Sequence, residues 1–344
     1  MFSQLLDRLT TDPNEMDTRL KSRLTPWELL ALGLSFSFVG LFIWAQSRLQ
    51  IPPYDYDIYI HTQEYDFYGF YYPHWTVPVF WLLNKLQHPY GYILLNAVSI
   101  LSVFFALRIF GGNVPMALLS FQMLYVLFLG QIVGVLLGGL GLLWWGISHK
   151  RWYIAGLGLI LAWTKYQIGI PACILLLLLA EISWKHWLRL LFIPLLVVGG
   201  SLILSPSWPL KLWETLQKYP VNDWGSISLW RWIGPYALLL WLPPLLLPLT
   251  RRTRFIALIA TNAMALPYFQ QTDILSLFIL PIGWPFVLLG NLGYLFFLYY
   301  WKALQALVII PLLIYLTILT PPFFTTCQKG IKSLLKAIHP PKAW

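Results

Sequence analysis

Long apolar runs recur along nearly the whole chain, and several reach about 18–20 residues, enough to cross the hydrocarbon core of a bilayer. The chain is 58% hydrophobic and 10% charged, whereas soluble domains average roughly 45–50% and 25%. The runs do not alternate between apolar and polar residues, as the strands of a membrane β-barrel do. We therefore predict an all-α polytopic membrane protein.

The basic residues concentrate in short loops between these runs. Their clusters are Arg19, Lys21 and Arg23; Lys150 and Arg151; Lys185 and Arg189; Arg251, Arg252 and Arg254; and Lys329, Lys332 and Lys336. This pattern is typical of cytoplasmic loops, so the formal net charge of +10 does not indicate a nucleic-acid partner. The lysines near the C-terminus have helical spacing, which predicts contact with anionic lipid headgroups.

The ends of the chain and its cysteines exclude several classes of protein. Residues 1–26 are polar, and the apolar run that follows is too long for a signal-peptide core, so no cleavable signal is expected. Cys173 and Cys327 are far apart and predict neither a disulfide framework nor a metal cluster. No phosphate-binding glycine motif occurs, which disfavours a cytoplasmic nucleotide-sugar donor. We expect no cofactor, with a divalent cation left open.

Placing the basic clusters in the cytoplasm gives a topology of about 10–12 spans. The stretch 72–86 is short and polar enough to predict an interfacial or partly inserted helix. The predicted regions are a cytoplasmic segment, 1–26; a transmembrane part, 27–322, with external loops near 47–72, 206–229 and 268–273; and a basic cytoplasmic tail, 323–344. The predicted spans are 27–46, 90–109, 113–129, 131–148, 152–165, 167–183, 186–205, 230–249 and 254–268, with two or three more in 274–322.

An acidic, tyrosine-rich loop follows the first span. Only 13 Asp and Glu residues occur in the chain, and four of them, Asp55, Asp57, Glu64 and Asp66, lie here. In the predicted topology this loop is extracytoplasmic. So few carboxylates gathered beside one membrane helix indicate a functional site.

Other polar residues fall on the same predicted side. Ionisable groups at membrane depth are costly and are usually functional. Gln131 and Lys165 lie at junctions between predicted spans, and Asp273 opens a later one. Asn222 and Arg231 belong to the long external loop or its edge. Together with Asp55 and Asp57, they predict one external site of carboxylates, amides and cations.

The order of these motifs resembles the polyprenol-phosphate-mannose-dependent mannosyltransferases of glycosyltransferase family 87, in the GT-C superfamily. The resemblance covers roughly residues 27–290. Two departures concern the sugar and the acceptor: the interval from Asp55 to Tyr72 is short, and Thr272-Asp273 replaces a Tyr-Asp pair. The matching segments are Asp55-Tyr56-Asp57-Ile58-Tyr59, Phe70-Tyr71-Tyr72-Pro73, Gly130-Gln131, Lys165, Asn222 to Arg231, and Pro267-Tyr268 with Asp273.

The resemblance implies a GT-C-like bundle that moves a mannose-like hexose from a polyprenyl-phosphate donor to a lipid or glycan acceptor. Asp55 would be the general base, with Asp57 as alternate base, support or metal ligand. Lys165 and Arg231 would bind the donor phosphate. The enzyme would lie in the inner or plasma membrane with an extracytoplasmic site. The implied substrate-binding residues are Tyr59, Tyr72, His74, Gln131, Asn222 and Asp273.

Each assignment has a structural alternative. Lys165 snorkelling to the interface explains it equally well, and Gln131 has the alternative of a helix–helix hydrogen bond. Asp273 has that of a helix cap, Arg231 that of an interfacial anchor, and His74 that of a structural histidine. Asp55 has the alternative of a solvated loop acid, and Glu64 and Asp66 are interpreted as solvated. A transporter or flippase is the alternative function, although no internal repeat supports it.

Overall fold

The computed structural model describes residues 23–61, 70–180, 182–218, 226–299 and 301–322. Within these residues the protein is α-helical, and the only extended pairing is an isolated bridge between Ser226 and Gln270. The first ten helices are α1 (Pro26–Leu49), α2 (Tyr54–His61), α3 (Val77–Lys85), α4 (Tyr90–Phe110), α5 (Val114–Leu118), α6 (Phe121–Leu129), α7 (Val133–Ser148), α8 (Trp152–Ala162), α9 (Tyr166–Leu179) and α10 (Trp184–Leu204).

Shorter helices and 3₁₀ segments make up most of the rest. The helices are α11 (Trp208–Lys218), α12 (Trp230–Ile233), α13 (Leu242–Leu246), α14 (Arg251–Ala265), α15 (Leu275–Phe278), α16 (Trp284–Gly290) and α17 (Leu292–Tyr299). The 3₁₀ segments are His74–Thr76, Trp163–Lys165, Gly234–Trp241, Gln271–Ile274 and Trp301–Val308.

Five helical stretches in the described residues are long and apolar enough to cross a membrane. A sixth span is formed if α6 and α7, which meet at a bend of 116°, are counted together. The predicted all-α polytopic membrane fold is confirmed. The five stretches are Pro26–Leu49, Tyr90–Phe110, Trp152–Leu179, Trp184–Leu204 and Leu304–Pro322.

This number is smaller than the 10–12 predicted spans because several apolar runs are divided into short helices. The predicted span 113–129 contains α5 and α6, of 5 and 9 residues. The predicted span 230–249 contains α12, a 3₁₀ segment and α13. The predicted spans 152–165 and 167–183 fall largely in one stretch, Trp152–Leu179. Hydropathy detects the apolar runs but not the helix caps within them. Asn113 caps α5 and Ser120 caps α6, so the predicted span 113–129 is divided at Ser120.

The stretch 72–86, predicted to be a short helix, is a 3₁₀ turn followed by the 9-residue α3. Pro78 lies in the first turn of α3, where a missing backbone N–H costs little. At about 1.5 Å per residue, α3 is too short to cross a bilayer. The prediction of a short helix here is confirmed.

Small residues allow α4, α7 and α8 to pack closely. A Cβ at Gly138 of α7 would lie 2.6 Å from the Cβ of Ser102 on α4, and Gly134 packs in the same way against Ser99. The residue numbers rise together, so α4 and α7 run parallel. Such small-residue contacts are common between membrane helices, because they let the two backbones approach.

The α7–α8 hairpin is equally tight and runs antiparallel. A Cβ at Gly146 would lie 2.6 Å from the backbone nitrogen of Ala155, and Gly139 meets the backbone of Ala162. The 3₁₀ segment that follows α8 is therefore level with the start of α7 and close to the middle of α4. This register sets the depth of Lys165.

An ion pair connects α1 with α4. Thr25 caps α1: the Glu28 backbone N–H donates to the Thr25 hydroxyl at 3.2 Å, and the Glu28 carboxylate accepts from the Thr25 backbone N–H at 2.8 Å. The Arg108 guanidinium contacts both Glu28 carboxylate oxygens, at 3.1 and 3.2 Å. The start of α1 is thus joined to the end of α4. At the other end, the Gln46 side chain donates to the carbonyl of Phe128 at 2.8 Å.

Candidate active site

The predicted acidic loop is a helix, α2, over the part that contains Asp55 and Asp57. The interpretation of this part as a loop was wrong because Asp55 and Tyr59, and likewise Asp57 and His61, have the i,i+4 spacing of one helix face. Asp55 and Asp57 are two residues apart, so they project about 200° from each other. Asp57 lies 3.1 Å from His61 on a face where both side chains are about half exposed.

Asp55 faces the protein, and its carboxyl group has an unusual environment. Burial raises the pKa of Asp55, the nearby Lys165 ammonium and a hydrogen bond from Gln131 lower it, and the Asp273 charge raises it; the resulting pKa is about 6. Burial exceeds the favourable contacts, as expected for a carboxylate removed from water. At pH 7 the group is about ten times more often ionised than protonated. Asp55 remains partly exposed, so it is reached from the surface.

Lys165 and Asp273 form an ion pair next to Asp55. The Lys165 Nζ lies 2.6 Å from an Asp273 carboxylate oxygen, and the side chains are only 3% and 0% exposed. The Gln270 side-chain oxygen is 3.5 Å from the same ammonium. The Lys165 ammonium therefore pairs with Asp273 and is near enough to Asp55 for its charge to act there. The snorkelling alternative for Lys165 and the helix-cap alternative for Asp273 each leave out this ion pair, in which the two side chains bind each other.

A break in the helical stretch positions Lys165. Trp163–Lys165 is a 3₁₀ turn, and Lys165 has non-helical backbone angles, φ −115° and ψ 75°. Gly169 packs against the carbonyl of Ala162, although seven residues of straight helix would separate them by about 10 Å. The chain therefore bends sharply at Lys165. Lys165 thus lies at the bend between α8 and α9, inside the apolar stretch Trp152–Leu179. The outward placement of this junction stays a prediction.

The backbone around Asp273 is held on two sides. Its second carboxylate oxygen accepts from the Gln270 backbone N–H at 2.8 Å, which caps the 3₁₀ segment Gln271–Ile274. Gln270 also bridges to Ser226, and the Ile227 N–H donates to the carbonyl of Phe269 at 2.8 Å. The cap and the ion pair together fix the position of the carboxylate.

Aromatic side chains form one wall. The hydroxyls of Tyr59 and Tyr72 are hydrogen-bonded at 2.9 Å, and Tyr59 stacks on Phe80 with ring centroids 4.5 Å apart. Burial raises the pKa of both tyrosines well above the usual value, and the Asp55 charge raises them further. Both therefore stay neutral and can donate hydrogen bonds. Because Tyr59 is four residues after Asp55, α2 presents the two side chains together.

Gln131 lies in the break between α6 and α7. Gly130 ends α6 with φ 69°, a left-handed conformation that favours glycine, and its Cα faces the side chain of Tyr56. The Gln131 backbone N–H donates to the carbonyl of Val126 at 2.9 Å. Its side chain is 3% exposed and lies within hydrogen-bonding reach of Asp55.

The structure therefore brings together six of the predicted site residues: Asp55, Tyr59, Tyr72, Gln131, Lys165 and Asp273. It places Asp57 on the exposed face of α2. His74 is half-buried at the start of a 3₁₀ turn, where burial lowers its pKa, and Arg231 is exposed on α12. Neither is among the groups that shift the pKa of Asp55. Asn222, Glu64 and Asp66 lie outside the described residues.

Several side chains at the site were not selected from the sequence. Tyr125 is close enough for the Asp55 charge to affect it, and Gln271 forms a hydrogen bond with Tyr125. Tyr268, which the sequence offered only as part of the matching Pro267-Tyr268 segment, is also within reach of that charge. The sequence could have indicated Gln271, because Gln270-Gln271-Thr272 is a run of polar residues directly before Asp273. Tyr125 lies in an apolar run and carries no such signal.

Comparisons with protein-family models, with curated proteins and with solved structures found no match. Among the described residues, no group of three His, Cys, Asp or Glu side chains is arranged to hold a metal ion. The arrangement offers one carboxyl that is mostly ionised at neutral pH, a charged pair beside it, and a wall of neutral hydroxyl and amide donors. These groups can accept a proton, face an anion and bind a hydroxylated ligand.

Proposed function

We propose that the protein is an inverting glycosyltransferase of the membrane. It moves a mannose-like hexose from a polyprenyl-phosphate donor to a hydroxyl of a lipid or glycan acceptor. The observation that carries this proposal is Asp55, a partly exposed carboxyl that faces the buried Lys165–Asp273 pair. The order of motifs that resembles family 87 supports the same reaction.

In the proposed reaction, Asp55 takes the proton of the acceptor hydroxyl as its oxygen attacks the anomeric carbon of the sugar. The bond between that carbon and the phosphate oxygen breaks, and polyprenyl phosphate leaves with the electron pair. One base and one displacement invert the anomeric centre. The transition state carries positive charge at the anomeric carbon, which the neighbouring carboxylates favour.

The leaving phosphate gains negative charge and needs a cation. Lys165 supports this role as an ammonium beside Asp55, but Asp273 already balances its charge. Donor binding would thus draw the ammonium partly from Asp273 towards the phosphate. Arg231 is exposed and would contact the phosphate only at the rim.

Two carboxylates on α2 provide a matched test of the base. Asp55→Asn and Asp57→Asn each remove one negative charge from the same helix, but only Asp55 faces the ion pair. We expect Asp55→Asn to lower transfer of radiolabelled mannose from polyprenyl-phosphate mannose into membrane acceptors by about 10²–10⁴-fold, with normal expression and thermal stability. Asp57→Asn should transfer at the wild-type rate. Equal activity of both variants would remove Asp55 as the base.

We also propose that the N-terminus is cytoplasmic and the site extracytoplasmic, in the inner or plasma membrane. The basic clusters that set this orientation lie in short loops. Fusing alkaline phosphatase after the segment Tyr54–His61 should give an active phosphatase, because that enzyme matures only outside the cytoplasm. An inactive fusion that is stably expressed would reverse the orientation.

A transporter or flippase is the second candidate, and one observation favours it. Gln131 and Lys165 lie at breaks in membrane helices, and Lys165 is level with the middle of α4. Transporters place substrate sites at such broken helices. Proteoliposomes with labelled polyprenyl-phosphate mannose distinguish the two: a transporter moves intact donor across the bilayer, whereas the enzyme produces free polyprenyl phosphate and a mannosylated acceptor.

A further inference from the structure

Several buried polar atoms around the charged pair have no hydrogen-bond partner within the described residues. They are the side-chain oxygens of Gln131 and Gln271 and the hydroxyls of Thr272 and Tyr166. Gln131, Gln271 and Thr272 are 3%, 3% and 1% exposed. Native proteins leave few buried polar groups unpaired, because each unpaired group loses its hydrogen bonds to water.

The two glutamines are held in similar ways. The Gln131 side chain forms a hydrogen bond with Asp55, and the Gln271 side chain forms one with Tyr125. An ionised carboxylate accepts hydrogen bonds, so the amide nitrogen of Gln131 faces Asp55. In both glutamines the amide oxygen is the atom without a partner. Each is therefore an oriented acceptor for a ligand that donates.

The two acceptors belong to one site. Asp55 contacts Gln131, and its charge also acts on Tyr125, the partner of Gln271. Thr272 lies between Gln271 and Asp273, and Tyr166 directly follows Lys165. Asp55 and Tyr268, whose charge and hydroxyl interact, are both partly exposed. Because Gln131 bonds to Asp55 and Tyr125, the partner of Gln271, is within reach of the Asp55 charge, a ligand that satisfies both acceptors lies beside Asp55.

We infer that Gln131 and Gln271 accept hydrogen bonds from hydroxyl groups of the transferred sugar, with the Thr272 hydroxyl as a third contact. The ligand class is a ring with several adjacent hydroxyls, which supplies several donors within a few ångströms. This inference rests on the proposed transfer reaction. It assigns recognition of the sugar to Gln271 and Thr272, in addition to Gln131.

A series of deoxy donors tests the assignment. Wild-type protein is assayed with polyprenyl-phosphate mannose and with its 2-, 3-, 4- and 6-deoxy analogues. We expect at least one missing hydroxyl to lower kcat/KM by about 5- to 100-fold, because it leaves a buried acceptor unpaired. In Gln271→Met or Gln131→Met, the acceptor is absent, and the corresponding deoxy donor should be used as well as the parent.

Gln122 provides the matched control. Its side-chain nitrogen donates to the carbonyl of Gly290 at 3.1 Å, and its oxygen is buried without a partner, as in Gln271. It lies at the start of α6, about 13 Å along that helix from Gln131. Gln122→Met should keep the wild-type preference for the parent donor. The thermal midpoints of the three variants should fall by similar small amounts, because each change removes one hydrogen bond donated by the amide nitrogen together with an oxygen that has no partner.

A binding measurement separates failure of this inference from failure of the proposed function. Methyl α-D-mannopyranoside is added to protein in nanodiscs, and contact is measured by saturation-transfer NMR. Binding to wild type that is lost in Gln271→Met supports the sugar contact even if no transfer occurs. Binding and deoxy discrimination that persist in both Gln271→Met and Gln131→Met overturn it, as does a wild type that shows neither.

Discussion

Two buried ion pairs lie among the residues that the structure describes, and they differ in what surrounds them. Glu28 and Arg108 join the start of α1 to the end of α4, with one negative and one positive charge and two contacts at 3.1 and 3.2 Å. Lys165 and Asp273 share one contact of 2.6 Å beside a third charged group, Asp55. The first pair is balanced, whereas the second has excess negative charge when Asp55 is ionised.

This difference separates a structural role from a chemical one. A balanced pair with its hydrogen bonds satisfied holds two helices together and has no group left to react. A cluster of two carboxyls and one ammonium can take up a proton or face an anion. Strongly perturbed carboxyls in such clusters are associated with function, although structural networks can perturb them too. Substitutions at each pair test whether the two pairs differ in role.

Removing Lys165 should have the largest effect. Lys165→Met leaves the buried Asp273 carboxylate without its cation and beside the Asp55 charge, so we expect a loss of about 3–5 kcal/mol in stability and no measurable transfer. Thermal unfolding in detergent and the transfer assay measure the two effects. Lys165→Met with Asp273→Leu should regain most of the stability without activity. A double variant as unstable as the single one would contradict the proposed cause.

Removing Arg108 should lower stability by a similar amount but leave the chemistry intact. Arg108→Met leaves Glu28 buried without its cation, and a cost of about 3–5 kcal/mol is expected. The rate per folded molecule should equal that of wild type, measured after quantifying folded protein by size exclusion. A rate that falls in proportion to Lys165→Met would show that the two pairs are not functionally distinct.

The pH dependence of stability and of transfer should report the charge balance around Lys165 and Asp273. The pKa of Asp55 is raised to about 6 in the folded protein. Its contribution to stability is therefore present below the pKa of an aspartate in the unfolded chain and is lost as pH rises through about 6. Transfer needs the ionised form, so activity should rise with pH and level off above about 7. Asp273→Asn removes a charge that raises this pKa, so the rise should move to lower pH. An unshifted profile would separate Asp273 from Asp55.

The exposed pair on α2 should give the smallest effect. Asp57→Asn removes a contact with His61 between side chains that are about half exposed. Pairs of this kind contribute about 0.3–0.5 kcal/mol, so the thermal midpoint should change little. A change as large as that of Arg108→Met would mean that Asp57 has partners other than His61.

The sequence predicted the long spans well, because a helix that crosses lipid must be apolar along its length. The predicted spans 27–46, 90–109 and 186–205 match Pro26–Leu49, Tyr90–Phe110 and Trp184–Leu204. Short helices were not separated, since 3₁₀ turns such as Trp163–Lys165 depend on tertiary contacts that hydropathy does not contain.

The convergence of Asp55, Gln131, Lys165 and Asp273 was predicted because buried polar residues are rare in such a chain. Their mutual contacts were not predicted. The pairing of Lys165 with Asp273 joins residues 108 positions apart, and a single sequence carries no sign of it. Asp57 was grouped with Asp55 by proximity along the chain, whereas the turn of α2 separates them.

The close packing of the glycines in the α7–α8 hairpin determines where the Lys165 ammonium lies. Gly139 packs directly against the backbone of Ala162, one residue before the turn that ends in Lys165. A single methyl group at Gly139 would push α8 outward and carry the ammonium with it, although no atom of Gly139 belongs to the site. The position of the Lys165 ammonium thus depends on two backbones in van der Waals contact.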